Sequence, residues 1–479
     1  MAVGACMDDI AAAIAANRYG LGARPGELAG VAGDPRGALC AQLAGGPPLL
    51  AGQGLVDGAT ALGQAESLRQ ALRAAKRGEQ ADVAAAFMKV GEYYRPLYVA
   101  EARARLQSAA DCERPFVERL VHFWSNHFAV SVDKALVLGL AGPYEREAIR
   151  PHVLGRFADL LHASAQHPAM LLYLDNAQSV GPTSRAARFV HRARARPAQS
   201  GIAGGGATIG LNENLAREIL ELHTLGVDGG YTQADVTEFA RVLTGWSIGG
   251  GQGRLRGGEP GRYFFREALH EPGARELLGR RYREGGESQG LAVLDDLARS
   301  PATARHLATQ LARHFAGDEP PPALIERLAH AWLEHDGDLL PVYRALVDSP
   351  ECWAQPLVKY KTPFEYVASA YRALAVPLPV GQRALTPLEL LGQRTWSPGS
   401  PAGWADRAAD WDGPSALLKR LEWADQVGQR LGAQRDAAAL AREVLGGVLT
   451  AHTHEAIAHA DSGAQALTLL LGSPEFLRR

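Results

Sequence analysis

Apolar residues recur at three- and four-residue intervals from near the start of this chain to its end, while strictly alternating runs of β-branched or aromatic residues are nearly missing. An interval of three to four is the repeat of one helix face, and alternation is the repeat of a strand, so the pattern predicts an all-α fold with at most a small β element. Alanine, leucine and arginine dominate the composition, and all three are strong helix formers. The spacing predicts helices over Glu66 to Lys76, Val83 to Val90, Arg95 to Ser108, Phe116 to Phe128, Pro143 to Arg150, Val153 to Ser164, Glu213 to Leu225, Gln233 to Thr244, Phe364 to Leu374 and Ala416 to Leu431, among others. Proline and glycine punctuate them where helices start or stop. With 479 residues the chain can bury a substantial core. We divide it into a main helical body, 1–345, and a C-terminal helical lobe, 346–479.

Two stretches interrupt the helical pattern and read as long loops. Residues 176–211 carry Arg185, Arg188, Arg192, Arg194 and Arg196, then five glycines between Gly201 and Gly210. Residues 249–262 are a second Gly/Arg-rich stretch. Loops of this length in a compact protein tend to be functional or disordered, and the first is expected to be a mobile cover for an anionic ligand.

Charge and cysteine usage exclude several classes. Fifty basic against fifty-two acidic residues leave a formal net charge of -2, so no whole-chain field favours nucleic acid or an anionic membrane, and neither is an expected partner. Cys6, Cys40, Cys112 and Cys352 are scattered without Cys-x-x-Cys spacing, which predicts neither a zinc knuckle nor a disulfide framework. The N-terminal segment shows no basic stretch followed by an apolar run, so as written the chain is expected in the cytoplasm. Neither a Gly-x-Ser-x-Gly elbow nor a Gly-x-x-x-x-Gly-Lys phosphate loop is present, so no nucleotide cofactor is predicted.

Candidate site residues come from two helical wheels drawn at about 100° per residue. On Phe116 to Phe128 the apolar arc holds Phe116, Val117, Leu120, Val121, Phe123, Trp124 and Phe128. His127 sits within it, and Glu118, Arg119, His122, Ser125 and Asn126 face away. On Glu213 to Leu225 the arc holds Leu215, Ala216, Ile219, Leu220 and Leu222, with His223 inside it. Faces this wide must be covered, so the two helices are expected to pack with both histidines in a shared interior. A buried imidazole either makes structural hydrogen bonds or serves in proton transfer or metal ligation, so a metal held by His127 and His223 is one candidate arrangement. Glu213, Arg217 and Glu221, four residues apart, match a solvated ion-pair ladder, and Glu218 lies beside them. Asn126, Asn212, Asn214, Arg241, Trp246 and His270 complete the polar candidates: Arg241 as a charged fork, Trp246 as a stacking face or a core anchor. Trp396, Trp404 and Trp411 lie in a Pro/Gly-rich segment and are expected to fasten it to the helices. His452 and His454 read as surface residues.

Several blocks resemble one family in order along the chain: Asn17-Arg-Tyr-Gly-Leu-Gly, Glu118-Arg-Leu-Val-His-Phe-Trp-Ser-Asn-His127, His167-Pro-Ala-Met-Leu-Leu-Tyr, Asn212-Glu-Asn-Leu-Ala-Arg-Glu-Ile-Leu-Glu-Leu-His223, Ala240-Arg-Val-Leu-Thr-Gly-Trp246, Lys361-Thr-Pro-Phe-Glu365 and Pro401-Ala-Gly-Trp404. On these the chain resembles the domain of unknown function 1800 family. The resemblance implies a bacterial protein, often exported, and often encoded beside a second family that resembles alkaline phosphatases and sulfatases. It implies no reaction. From the residues, the leading expectation is an enzyme acting on an anionic or carbohydrate envelope or extracellular polymer. His127, His223 and Glu218 would be its catalytic groups, and Arg217, Glu213, Asn126, Arg241, Trp246 and His270 its binding groups. The alternative is a non-catalytic binding or export partner of the phosphatase- or sulfatase-like neighbour.

Overall fold

The computed structural model describes residues 2–76, 90–194, 210–250, 257–354 and 356–479. Helices carry most of them, and the strands form only two antiparallel two-stranded sheets. The predicted helices appear where caps support them. Pro115–His127 opens with proline at its first position, and the Phe116 N–H is taken by the Gln42 side chain at 2.9 Å. Gln233–Val242 and Pro363–Leu374 each start with a reciprocal capping box, Thr232 with Asp235 and Thr362 with Glu365. Among the described residues no helix is long and apolar enough to cross a membrane.

Three helices widen by one residue per turn. Ala2–Ile14 runs into a π-helical turn at Ala15–Tyr19, Ala141–Tyr144 into one at Glu145–Ile149, and Asn214–Glu218 into one at Ile219–His223. Such turns rotate every later side chain away from its regular helical position.

The two expected loops are corrected in part. Residues 176–211 contain a 3-10 turn, Asn176–Gln178, and a helix, Arg185–Arg194, because Ser184 supplies a cap to the Ala187 N–H at 3.2 Å and one side of the helix buries Ala187. Residues 195–209, which hold Arg196 and most of the glycines, lie outside the described residues. The 249–262 stretch is the connection of a hairpin, Trp246–Ile248 with Tyr263–Phe265 in register Trp246 to Phe265. Residues 251–256 within it also lie outside the described residues, as do residues 83–89 of the predicted Val83 to Val90 helix.

The buried apolar side chains form two main clusters. The first runs from Ile14 to Trp396 and includes Leu346, Val347 and Cys352. These belong there because the helix Leu339–Asp348 crosses the expected boundary and packs on Pro322–Glu334 and Pro35–Leu43. The second cluster joins Tyr360 to Leu477 with Ala12, Ala13, Ala16, Leu21 and Leu28 from the start of the chain, and with Leu106 and Ala109. Pro115–His127 lies between them and is buried on nearly its whole circumference. Glu118, Arg119 and Ser125 are as buried as Phe116 and Trp124, so the side expected to face away from the core meets a second packed surface instead.

Candidate functional site

That second surface is hollow. Arg119, His122, Ser125, Asn126 and His127 line a cavity of about 310 Å3, closed by Arg105 of the Val90–Asp111 helix, Gln310 and His314 of Pro301–Phe315, Phe364 and Glu365 of Pro363–Leu374, and the irregular segment from Gln393 to Asp406. Asn126 ties that segment down: its amide N–H donates to the Trp404 carbonyl at 2.9 Å and its oxygen accepts the Trp404 N–H at 2.8 Å. Gly403 is required beside this clamp, since it sits at φ +78° and a Cβ there would lie 2.4 Å from the Asn126 carbonyl oxygen. Trp396 holds the other end in a left-handed conformation, φ 52°, with its indole N–H donating to Glu145 at 3.3 Å and its carbonyl accepting the Val132 N–H at 2.8 Å. The Trp411 indole donates to the Ala405 carbonyl at 2.9 Å. All three tryptophans fasten the segment, and Trp396 and Trp404 also line the cavity.

Two buried charge networks flank the cavity. In one, Arg150 forks onto Glu118 at 2.7 and 2.9 Å and reaches Glu145 at 3.0 Å, and Glu145 also takes the Arg105 Nε–H at 2.6 Å. Burial pushes the Glu118 carboxyl up, but Arg150 and His122 together hold it well below the usual carboxylate range. In the other, Glu365 is shared by Arg119 and by Arg479, the latter at 3.0 Å, while Asp406 meets His314 at 3.2 Å and Lys359 at 3.3 Å. The Arg119 Nη1 donates toward His314 Nε2 at 3.3 Å, so the His314 hydrogen is on Nδ1, facing Asp406. Burial lowers His314 to about 4 against the pull of Asp406.

What these networks leave over lies on residues of the cavity wall. Every carboxylate on its wall has cationic partners, yet among the described residues the buried Arg119 Nη2, His122 Nδ1 and the Thr395 hydroxyl have no hydrogen-bond partner, and His122 Nε2 has only the 3.4 Å approach of Glu118. Arg105 bonds to protein through Nε, while its guanidinium plane stacks 4.6 Å over the Phe364 ring. His122 lies 3.4 Å from Glu118, outside good hydrogen-bond geometry, and burial and then Arg105 lower it to about 4.

The two histidines of the wheels do meet, with ring centroids 6.0 Å apart. His127 Nε2 is 3.2 Å from the His223 carbonyl oxygen and Nδ1 is 2.8 Å from the Gln310 side-chain oxygen, so both ring nitrogens face acceptors. The Gln310 side-chain N–H points the other way, to His306 Nε2, 2.9 Å away, which also lies 3.3 Å from the Leu222 carbonyl. Burial and then His306 lower His127 to about 4, against the pull of those two oxygens. Both His127 nitrogens are thus within hydrogen-bonding distance of protein oxygens. His223 lies behind His127, off the cavity wall, with its Nε2 unpartnered and burial holding it well below the usual range. Among the described residues no group of three or more His, Cys, Asp or Glu is placed to hold a metal ion.

The remaining candidates lie elsewhere. Arg217 pairs with Glu213 at 3.1 Å on a partly exposed face with Gln233 and Thr237, the ladder read as a surface feature. Glu218 is half-buried, raised by burial and by Glu221. Asn212 and Asn214 bond each other at 2.8 Å at the start of Asn214–Glu218. Arg241 is paired to Glu238, Trp246 is fully buried against Gly290, and His270 Nδ1 bonds the Thr244 carbonyl at 2.9 Å, so this trio joins the hairpin to the Gln233–Val242 helix. Of the expected site residues, His127 and Asn126 reach the cavity. The sequence reading passed over Arg105, Arg119, His122, His314, Glu365 and Asp406 as site residues; the available signal was the Glu-Arg-x-x-His-x-x-Ser-Asn order along one strongly apolar helix.

No curated protein and no solved structure matches the chain. A family model described as a protein of unknown function (DUF1800) matches residues 14–478, nearly the whole length, and the chain belongs to that family.

Proposed function

We propose that the protein is an enzyme that takes one sugar-sized unit of an anionic envelope or extracellular polymer into the cavity beside the Pro115–His127 helix, with Arg105 and Arg119 holding its oxyanion. The observation that carries this reading is the convergence on one cavity of buried guanidinium and imidazole nitrogens without partners while the carboxylates around them are matched. A buried donor without an acceptor costs about 1–3 kcal/mol, which a carboxylate, sulfate or phosphate oxygen would recover. A volume of about 310 Å3 suits a single monosaccharide-sized unit, and the rings of Trp396 and Trp404 offer it apolar faces.

The test is calorimetric titration with glucuronate, a sulfated glucose and glucose. The charged sugars should bind and glucose should not, and Arg105→Gln should weaken binding at least about tenfold, equivalent to about 1.4 kcal/mol. Glu145 keeps Arg150 and Ser125 in that variant, so the fold is retained. Failure of both charged sugars to bind would refute the anion site. Binding of anionic oligosaccharides with no product detectable by mass spectrometry would instead favour the non-catalytic role, as a companion of a phosphatase- or sulfatase-like protein.

A further inference from the structure

His122 stands where the anion-binding wall and one charge network meet. Its ring edge packs on Phe364 with centroids 4.7 Å apart, and it lines the cavity. The charged groups that act on it are Glu118, one turn back on its own helix, Arg105 from the Val90–Asp111 helix, and Glu145 from the Glu145–Ile149 turn. Glu118 faces Nε2 at 3.4 Å and is itself held by the Arg150 fork. A carboxylate on that side draws the ring hydrogen to Nε2, so the lone pair is left on Nδ1, which has no partner among the described residues.

We infer that His122 is the proton-accepting group of this cavity, oriented by Glu118, and that an oxyanion bound at Arg105 raises its proton affinity by cancelling the guanidinium charge beside it. The inference rests on the anion-binding reading above and deepens it. Burial and Arg105 both favour the neutral ring. A bound carboxylate or sulfate offsets Arg105 and leaves Glu118 and Glu145 acting alone in favour of the imidazolium, so proton uptake accompanies ligand binding. The imidazole is then a base in the occupied site, able to take a proton from a hydroxyl or water held beside it, with Glu118 opposite the new positive charge. This is the carboxylate–imidazole division of labour used in general-base catalysis.

The experiment is a histidine-selective NMR titration of the full chain, with His122→Asn used to assign the signal. Sodium sulfate and sodium nitrate serve as probes because neither takes up a proton in the range around and above about pH 4 where His122 titrates, and their relative strength separates a tetrahedral from a planar preference. The His122 midpoint should rise by about one pH unit, a tenfold gain in proton affinity, when either anion saturates the cavity. Arg105→Gln should raise the midpoint without any anion and abolish the further response. If anion binding shifts the signals of cavity residues but leaves the His122 midpoint in place, the inference is wrong while the anion site stands. Absence of any anion-dependent shift removes the anion site and the coupling with it, and an unchanged midpoint in Arg105→Gln refutes the coupling independently of ligand.

Discussion

Lowering the pH from 7 to 5 should strip this protein of much of its stability, because its core holds imidazoles that cannot take up a proton without unfolding or desolvated charge. His122, His127 and His314 are each lowered to about 4, burial being the largest cause in every case, against an ordinary value of 6.5. A group whose folded proton affinity is depressed leaves the unfolded chain binding more protons throughout that window, so stability falls as pH falls from 6.5 toward 4. At pH 5 each of the three costs about 2 kcal/mol, together about 6 kcal/mol, on the order of the whole stability of an ordinary domain. His223, lowered further by burial and by His127, acts in the same direction. The carboxylates Glu118, Glu365 and Asp406, all held low, add their loss only below about pH 4.5. Urea unfolding at pH 7.0, 6.0 and 5.0 reads the effect: the free energy should fall with a slope that reports about three protons taken up on unfolding near pH 5. His127→Gln should reduce that slope by one proton, about 1.4 kcal/mol per pH unit. A free energy that stays level between pH 7 and 5 would refute the assignment of these rings as neutral and locked.

Three further outcomes follow from the packing. Arg150→Met, which strands Glu118 and leaves Glu145 with fewer cations, should cost about 3–5 kcal/mol in chemical denaturation, partly relieved as the pH is lowered toward that of carboxylate protonation. Gly403→Ala forces a Cβ against the Asn126 carbonyl at a left-handed position, so the Trp404 amide should lose hydrogen-exchange protection while helices distant from the cavity keep theirs. Trp246→Ala should destabilise by about 3–5 kcal/mol yet leave glucuronate affinity unchanged in the fraction that remains folded, and a selective loss of affinity would show that the hairpin contributes to the site.

The sequence carried the meeting of His127 and His223, because two broad apolar faces had to cover something and each placed a histidine at its middle. It misjudged the other side of Phe116 to Phe128 for a physical reason. Glu118 and Arg119 look like a solvated face until their partners are known, and those partners are Arg150 for Glu118 and Glu365 for Arg119, the latter 246 positions away. No local period encodes such a match. The Glu213 to Leu225 wheel was drawn at a single helical repeat, whereas the Ile219–His223 turn is wider, so the position of His223 relative to Glu218 was not legible. The cavity was equally hidden, since its walls run from Leu21 to Asp406 and its outer segment, from Gln393, has no repeating pattern at all. Capped helices such as Pro363–Leu374 were readable because Thr362, Pro363 and Glu365 state their own start.

The second apolar cluster has a consequence for how the chain is made. Ala12, Ala13, Ala16 and Leu21 are covered by Val367, Leu440, Val444, Leu470 and their neighbours, residues that leave the ribosome more than three hundred positions later. At a synthesis rate of about 5–20 residues per second, that helix face waits on the order of tens of seconds without its covering. The body formed by the first cluster can fold in the meantime, so the nascent chain passes through a half-built state with an uncovered alanine-rich helix at one end. A holding chaperone on the first thirty residues, or transient cover by another part of the nascent chain, is what such an order of assembly calls for.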